Sequence, residues 1–347
     1  MVIIMANMMN TEKTSLIPSW QQELQSAFTN INDLLCFLNL NIDDLSLHTE
    51  AAKDFPLLVT KSYAQRIKKS DWGDPLLRQV LPDPSELLTN PDYLNDPVGD
   101  SQASVLPGLL HKYYGRILLV STGACAIHCR YCFRREFPYT DNSANRSQLD
   151  SIKQYLIEHP EVTEVILSGG DPLTLSDTRL QHLFDLFEQL PQIERIRIHS
   201  RIPIVLPSRI SKKLLEILSS TNKKVIMVIH ANHPNELDDS VSNTLFAIKK
   251  AGLTLLNQTV LLRGINDNVE TLTNLSHRLF HCDTLPYYLH VLDKVNGAMH
   301  FDTQMEHVFD VYQHLQKKLP GYLVPKLVRE EAGKPYKTLL STNINFP

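Results

Sequence analysis

Between residues 117 and 292 one pattern repeats: a short apolar run rich in β-branched residues, then a helical spacing of apolar residues. The runs are 117–120, 165–167, 196–198, 225–229, 254–261 and 287–292. Between them apolar residues recur at three- and four-residue intervals: Leu149, Ile152 and Leu156; Leu180, Leu183, Phe184 and Phe187; Leu214, Ile217 and Leu218; Val241, Leu245 and Ile248; Leu272, Leu275 and Leu279. Strands that alternate with helices pair in parallel, because each crossover returns the chain to the same end of the sheet. Six such units predict an α/β fold, a partial (β/α)6 TIM-like barrel. A doubly wound open sheet is the alternative, since periodicity does not say whether a sheet curls.

Polar and unusual residues gather just after the strands. Cysteines follow "RILLVS", "SGGDP" follows "EVIL", and His199 and Arg201 follow "RIRI". His230 and Asn232 follow "VIMVI", Arg263 and Asn266 follow "TVLL", and Asp293 follows "YYLHVL". The C-terminal ends of parallel strands form one face, where such folds build their active sites, so these positions are expected to converge.

The flanks read differently. Residues 1–105 carry helical signals at Trp20, Leu24, Ala27 and Phe28, then at Ile31, Leu34 and Leu35. They give way to "LPDPSELLTNPDYLNDPVGD", whose four prolines stop helices and bar a central strand, so an irregular connection is expected. A core domain over 106–328 and a C-terminal segment over 329–347 complete the division. With 34 basic against 38 acidic residues the chain has no strong field for nucleic acid or an anionic membrane. The N-terminal "MVIIMANMMN" lacks a basic region and a sustained apolar run, so a cytoplasmic location is expected.

Five cysteines, thinly spread apart from one cluster, make no disulfide framework. Cys36 and Cys282 read as small buried residues. Cys125, Cys129 and Cys132 form C-x3-C-x2-C within "GACAIHCRYCF". A zinc site wants four ligands, so it would need His128. Three thiolates can instead each hold one iron of a cubane cluster and leave the fourth iron open to a ligand.

"CAIHCRYCF", with Tyr131 at its aromatic position, resembles the signature of the radical S-adenosylmethionine superfamily. The resemblance implies a 4Fe-4S cluster on Cys125, Cys129 and Cys132, with S-adenosylmethionine chelating the open iron. Ser168, Gly169, Gly170 and Asp171 are then expected to border its methionine. Two glycines permit close backbone approach to a ligand amine and Asp171 adds negative charge, although an ordinary turn before Pro172 fits the same residues. A flavodoxin or ferredoxin system is the implied electron donor.

The likeness extends over residues 20–337. "LLHKYYGRILLVSTGACAIHCRYCFRREFPY", "VILSGGDPL", "HANHPNE", "NQTVLLRGIND" and "GKPYK" resemble the lysine 2,3-aminomutase family, and within it the short EpmB branch that forms β-lysine for elongation factor P. This implies pyridoxal 5′-phosphate anchored on Lys337, with Lys334 as the rival because the glycine-rich run of longer members is mostly missing here. It implies phosphate donors Lys112, Tyr113 and Arg116, adenosyl contacts His230 and Gln258, and Arg134 on the substrate carboxylate. Asp293 and Glu330 are expected to receive a lysine ε-ammonium; Glu330 stands where longer members carry aspartate, and Glu331 could substitute for it. The implied reaction moves the amino group of L-lysine from Cα to Cβ, with (R)-β-lysine expected.

A separate ligase that attaches β-lysine to elongation factor P is the implied functional partner; homo-oligomerisation is left open. A free lysine 2,3-aminomutase for catabolism or solute synthesis is the first alternative, and the end of the chain soon after Lys337 speaks against it. An iron–sulfur redox carrier or a zinc-stabilised binding module, with no catalysis, is the alternative of another class.

Overall fold

Side-chain alternation along the strands sorts the sheet into two chemically different faces. In "RIRIHS", residues 195–200, Ile196 and Ile198 are fully buried in the main apolar cluster, whereas Arg197 and His199 line an internal cavity. One strand to the side, Val165 and Leu167 join the apolar cluster while Ile166 and Ser168 face the cavity. A strand's period of two makes this division automatic once one face is covered by helices.

The computed structural model describes residues 19–41, 45–139, 144 and 148–341. Its strands are β1 (Ser104–Leu106), β2 (Leu109–Tyr113), β3 (Arg116–Thr122), β4 (Glu164–Gly169), β5 (Arg195–Ser200), β6 (Lys224–His230), β7 (Thr254–Val260), β8 (Leu285–His290), β9 (Lys326–Arg329) and β10 (Thr338–Leu339). They form one ten-stranded sheet in which spatial order follows chain order. Strands β3 to β9 are parallel to their neighbours, and antiparallel pairs close both edges. Among the described residues no ladder joins β1 to β10, while residues from β2 through β10 line one cavity. The sheet therefore curls as an open, partial barrel, and the flat doubly wound alternative falls.

Helices α1 (Trp20–Gln25), α2 (Ile31–Phe37), α3 (Ser46–Asp54) and α4 (Lys61–Ala64) precede the sheet. Helices α5 (Leu149–Glu158), α6 (Asp177–Glu188), α7 (Ile202–Val205), α8 (Lys212–Ser219), α9 (Asp239–Lys250), α10 (Val269–His281) and α11 (Met305–Lys318) fall within it. The expected inward residues of α5, α6, α8, α9 and α10 are buried, except Leu149 at the start of α5, which is half-buried. Each fully buried aliphatic or Phe side chain contributes about 1.5–3 kcal/mol. The outer layer thus supplies the stability, and the barrel interior is free to carry polar chemistry.

Three elements depart from expectation. The first helix ends at Gln25, and Phe28 pairs with Val59 in a bridge; Asn30, accepting from the backbone of Asn32 and Asp33, starts a separate helix. Cys282 is buried as expected, but Cys36 lies on the exposed side of α2 because Ile31, Leu34 and Leu35 take the inward side. Strand β9 and helix α11 lie beyond the six repeated units: "KLVR" is short, and α11 buries Val308, Val311 and Leu315 at helical spacing.

The N-terminal region and the barrel share a core. Leu34, Tyr63 and Leu76 belong to the same apolar cluster as Ile198 and Ile202. Arg66 donates to the carbonyls of Glu236 and Ile204, each at 2.5 Å. The proline-rich connection runs along the open face, where it supplies Glu86 and Asp100 to the cavity's surroundings. No described helix is long and apolar enough to cross a membrane.

Candidate active site

The three clustered cysteines follow β3 and line a cavity of about 610 Å³ as free thiols. Burial pushes the Cys125 thiol up and that of Cys132 to about 11, and the neighbouring sulfurs add to both shifts. Sulfurs that oppose one another's ionisation in this way suit a cationic metal centre. Among the described residues no trio of His, Cys, Asp and Glu is close enough to hold a single metal ion. His128 is tied elsewhere: its Nδ1 lies 2.8 Å from the Pro56 carbonyl and its ring stacks on Phe55. Three soft thiolates with no fourth cysteine in the loop fit a cluster with one open iron.

The loop is held from both sides. Arg130, fully buried, donates to Glu86 Oε1 and Oε2 at 2.8 and 2.5 Å and to the Phe55 and Ala51 carbonyls. At the end of β4, a Cβ on Gly170 would stand 2.3 Å from the Ala124 carbonyl oxygen, and one on Gly169, whose φ is +120°, 2.5 Å from that of Thr122. Glycine is required here because the cysteine loop itself presses against the strand end. Asp171 differs from expectation. Its carboxylate accepts from Leu173 N, Ser200 Oγ, Arg201 N and Ile202 N at 2.7–3.1 Å, tying β4 to β5 rather than standing free for a ligand.

Along the same cavity charges alternate. Arg134 donates Nε to Asp100 Oδ2 at 2.6 Å and Nη1 to Ser168 Oγ at 3.1 Å. Asp100 also holds Lys112 at 2.5 Å, Lys112 reaches Glu330 at 3.1 Å, and Glu330 pairs with Lys337. The third bond of the Lys112 ammonium goes to the Val98 carbonyl at 2.8 Å, so all its hydrogens are committed within the protein. Lys112, expected as a phosphate donor, bridges Asp100 and Glu330 in this structure. Arg116, with its guanidinium 4.8 Å over the Tyr113 ring and its Nε buried without a partner, remains available.

Burial raises the Glu330 carboxyl, but Lys337 and Lys112 outweigh it and hold it at about 2. Asp293, at the end of β8, has no such excess of cations. Burial and then Glu330 push it up to about 7, and its Oδ1 has no hydrogen-bond partner. Lys337 lies in the loop between β9 and β10 and lines the cavity, whereas Lys334 is exposed and outside the lining. Glu331 bonds to Thr338 and is likewise outside it.

His230 and Gln258 are register partners on β6 and β7 and both line the cavity. Burial holds His230 and His290 at about 3, and each has a buried Nε2 without a partner. The other strand-end positions expected to converge line this cavity, but Arg263 and Asn266 do not: Arg263 donates to the His300 carbonyl and Asn266 to those of Asn232 and Val260.

Residues 119–275 match the radical SAM superfamily. L-lysine 2,3-aminomutase of Escherichia coli (strain K12) is 44% identical over 326 residues, covering 94% of this chain and 95% of its own. The chain belongs to the L-lysine 2,3-aminomutase family. The enzyme of the same name from Haemophilus influenzae is 42% identical over 321 residues, 92% of this chain and 95% of its own. That from Clostridium subterminale is 32% identical over 325 residues, 93% of this chain and 78% of its own.

As a radical SAM enzyme of this family the protein works with an iron–sulfur cluster, S-adenosylmethionine and an external electron donor. Two residues of the cavity lining had no role in the sequence reading. Asp100 sits among other acids in a proline-rich stretch with no periodicity, so nothing local marked it. Arg201 stood at a strand end, but only the fold brings it beside Cys129.

Proposed function

We propose that the enzyme converts L-lysine to β-lysine by moving the amino group from Cα to Cβ, with pyridoxal 5′-phosphate anchored on Lys337. The observation that carries this reading is the single cavity whose lining includes Lys337, Asp293, Glu330 and Arg134 together with the three cysteines. When bound, the cluster and S-adenosylmethionine supply a carbon radical and pyridoxal phosphate supplies imine chemistry.

The protein's part is binding, orientation and exclusion of water. Arg134, fixed through Nε and Nη1, keeps its second terminal nitrogen for the substrate carboxylate, which a planar guanidinium suits. Asp293 takes the ε-ammonium, because a desolvated cation needs a paired anion and a carboxylate side chain would be repelled there. Arg116 and Tyr113 hold the phosphate, while Lys112 keeps Glu330 and Asp100 in place. Neutral His230 and Gln258 contact the adenosyl group, and the Ser168–Gly169–Gly170 backbone borders the methionine.

The higher identity to the E. coli relative, 44% against 32% for the clostridial one, favours the branch that serves elongation factor P. The product is then cytoplasmic (R)-β-lysine for a separate ligase. The test is anaerobic reconstitution with iron, sulfide and pyridoxal phosphate, followed by S-adenosylmethionine, reductant and labelled α-lysine, with chiral analysis of the product. Labelled (R)-β-lysine is expected; its absence with a full cluster overturns the proposal. Lys337→Ala should abolish imine absorption near the visible edge and Lys334→Ala should keep it.

A further inference from the structure

Arg201 stands directly after β5, 5% exposed, with Nη1 2.6 Å from the sulfur of Cys129. Its Nη2 donates to Gln79 Oε1 at 2.8 Å and to Glu236 Oε2 at 3.1 Å. The guanidinium lies 5.5 Å from the ring centroids of both Tyr63 and Tyr131. Its backbone N–H is fixed by Asp171 Oδ2 at 2.7 Å. The N-terminal region, the cysteine loop and the loops after β4 and β6 all contribute to this setting.

Two other buried arginines, Arg130 and Arg209, are used differently. Arg130 donates to the Phe55 and Ala51 carbonyls as well as Glu86, and Arg209 to the Leu173 and Leu175 carbonyls as well as Asp177. Both staple backbone segments together. Arg201 donates to no backbone carbonyl through its side chain; it aims one nitrogen at a sulfur and has a buried Nε without a partner. Such a desolvated cation is worth keeping only where negative charge faces it.

We propose that Arg201 sets the reduction potential of the cluster held by the three cysteines, through a charge-assisted hydrogen bond to the Cys129 sulfur. The proposal rests on the radical SAM reading and goes beyond it. Reduction adds one electron, delivered by the external donor, and makes the cluster and its thiolates more negative. A fixed cation and N–H at one of those sulfurs stabilises the reduced state more than the oxidised one, and raises the midpoint. Arg201 itself is neither oxidised nor reduced. Glu236 opposes the effect by partly neutralising it.

The experiment compares wild type with Arg201→Gln, Arg201→Lys and Glu236→Gln after anaerobic reconstitution. Iron and sulfide are counted, and the midpoint is read by redox titration followed by electron paramagnetic resonance. Arg201→Gln should lower the reduced-to-oxidised ratio at fixed ambient potential about tenfold, a shift of about 59 mV for one electron. Arg201→Lys should fall between it and wild type, and Glu236→Gln should move the midpoint the other way. A role confined to folding would not give opposite signs.

An unchanged midpoint in a fully loaded Arg201→Gln protein overturns the proposal. If that variant loads no cluster, unchanged midpoints in both Arg201→Lys and Glu236→Gln overturn it. A wild-type protein that takes up no cluster would instead sink the radical SAM reading, so the two failures are distinct.

Discussion

Lys337 donates its ammonium to Oε2 of Glu330, the carboxylate whose Oε1 already receives Lys112 at 3.1 Å. Of the two acids expected to receive a substrate ammonium, one is thus engaged from both oxygens, and Asp293 is the one with an unpartnered oxygen. Asp293 is held at about 7 by burial and then by Glu330, so its charge changes near neutrality. The KM for lysine should fall as pH rises through about 7, because the ionised carboxylate pairs with the ε-ammonium and the neutral one does not. Asp293→Asn should flatten that dependence and weaken binding by ~2–5 kcal/mol. Steady-state kinetics from pH 6 to 8.5 decide it; a wild-type KM that ignores pH would count against Asp293.

The same carboxyl makes a prediction about the protein without cofactors. Its folded value of about 7 lies above the ordinary aspartate value of roughly 3.9 in an unfolded chain. The folded state binds this proton more tightly, so the group's contribution to stability is highest below about pH 4 and is lost as pH rises through 7. Asp293→Asn should remove the loss and raise unfolding free energy at pH 8 by roughly 2–4 kcal/mol, with a smaller gain at pH 5. Urea unfolding of the cofactor-free protein at both values is the measurement. Equal stability of variant and wild type at pH 8 would contradict the assignment.

Asp100 neutralises two cations at once, Arg134 at 2.6 Å and Lys112 at 2.5 Å, and is itself 2% exposed. Asp100→Asn leaves both of them under-compensated in a buried place. Removing one member of such a group costs ~3–5 kcal/mol. The loss should appear in denaturant unfolding, and KM for lysine should rise with it because Arg134 loses the partner that fixes its fork. Restoration of charge by Asp100→Glu should recover part of the stability but less of the KM, since the longer side chain moves Arg134.

How much of this was legible beforehand follows from distance along the chain. The six central strands and their helices were visible because alternation and helical spacing are local signals, and the cysteine loop because its ligands lie within eight positions. The polar lining was also written locally: "RIRIHS" shows two arginines and a histidine on one side of β5 and two isoleucines on the other. The full use of Asp171 and Lys112 was not, because both depend on partners brought together by the closing of the barrel. Lys112 and Glu330 are 218 positions apart. Whether a charged side chain faces a ligand or another residue is decided by tertiary packing, which no spacing rule reports.

The contact between Gly170 and the cysteine loop yields a prediction with its own control. A Cβ at Gly170 would meet the Ala124 oxygen at 2.3 Å and the carbonyl carbons of Ala124 and Gly123 at 2.8 Å. All of these are backbone atoms, and the loop is pinned by Gly170 N to Thr122 O and Asp171 N to Ala124 O, each at 2.8 Å, so no flexible side chain can give way. Gly170→Ala should cost about 1–3 kcal/mol or more and displace Ala124, the residue next to Cys125. Gly252, after α9, has φ +91° but no atom within 4 Å of its added Cβ. Gly252→Ala therefore carries only the backbone strain of about 1–2 kcal/mol and leaves the cysteines where they are. Iron content per chain after reconstitution separates the two: Gly170→Ala should lose most of its iron and Gly252→Ala should retain it, although both are less stable. Equal iron in the two variants would mean that the strand end does not hold the loop in position.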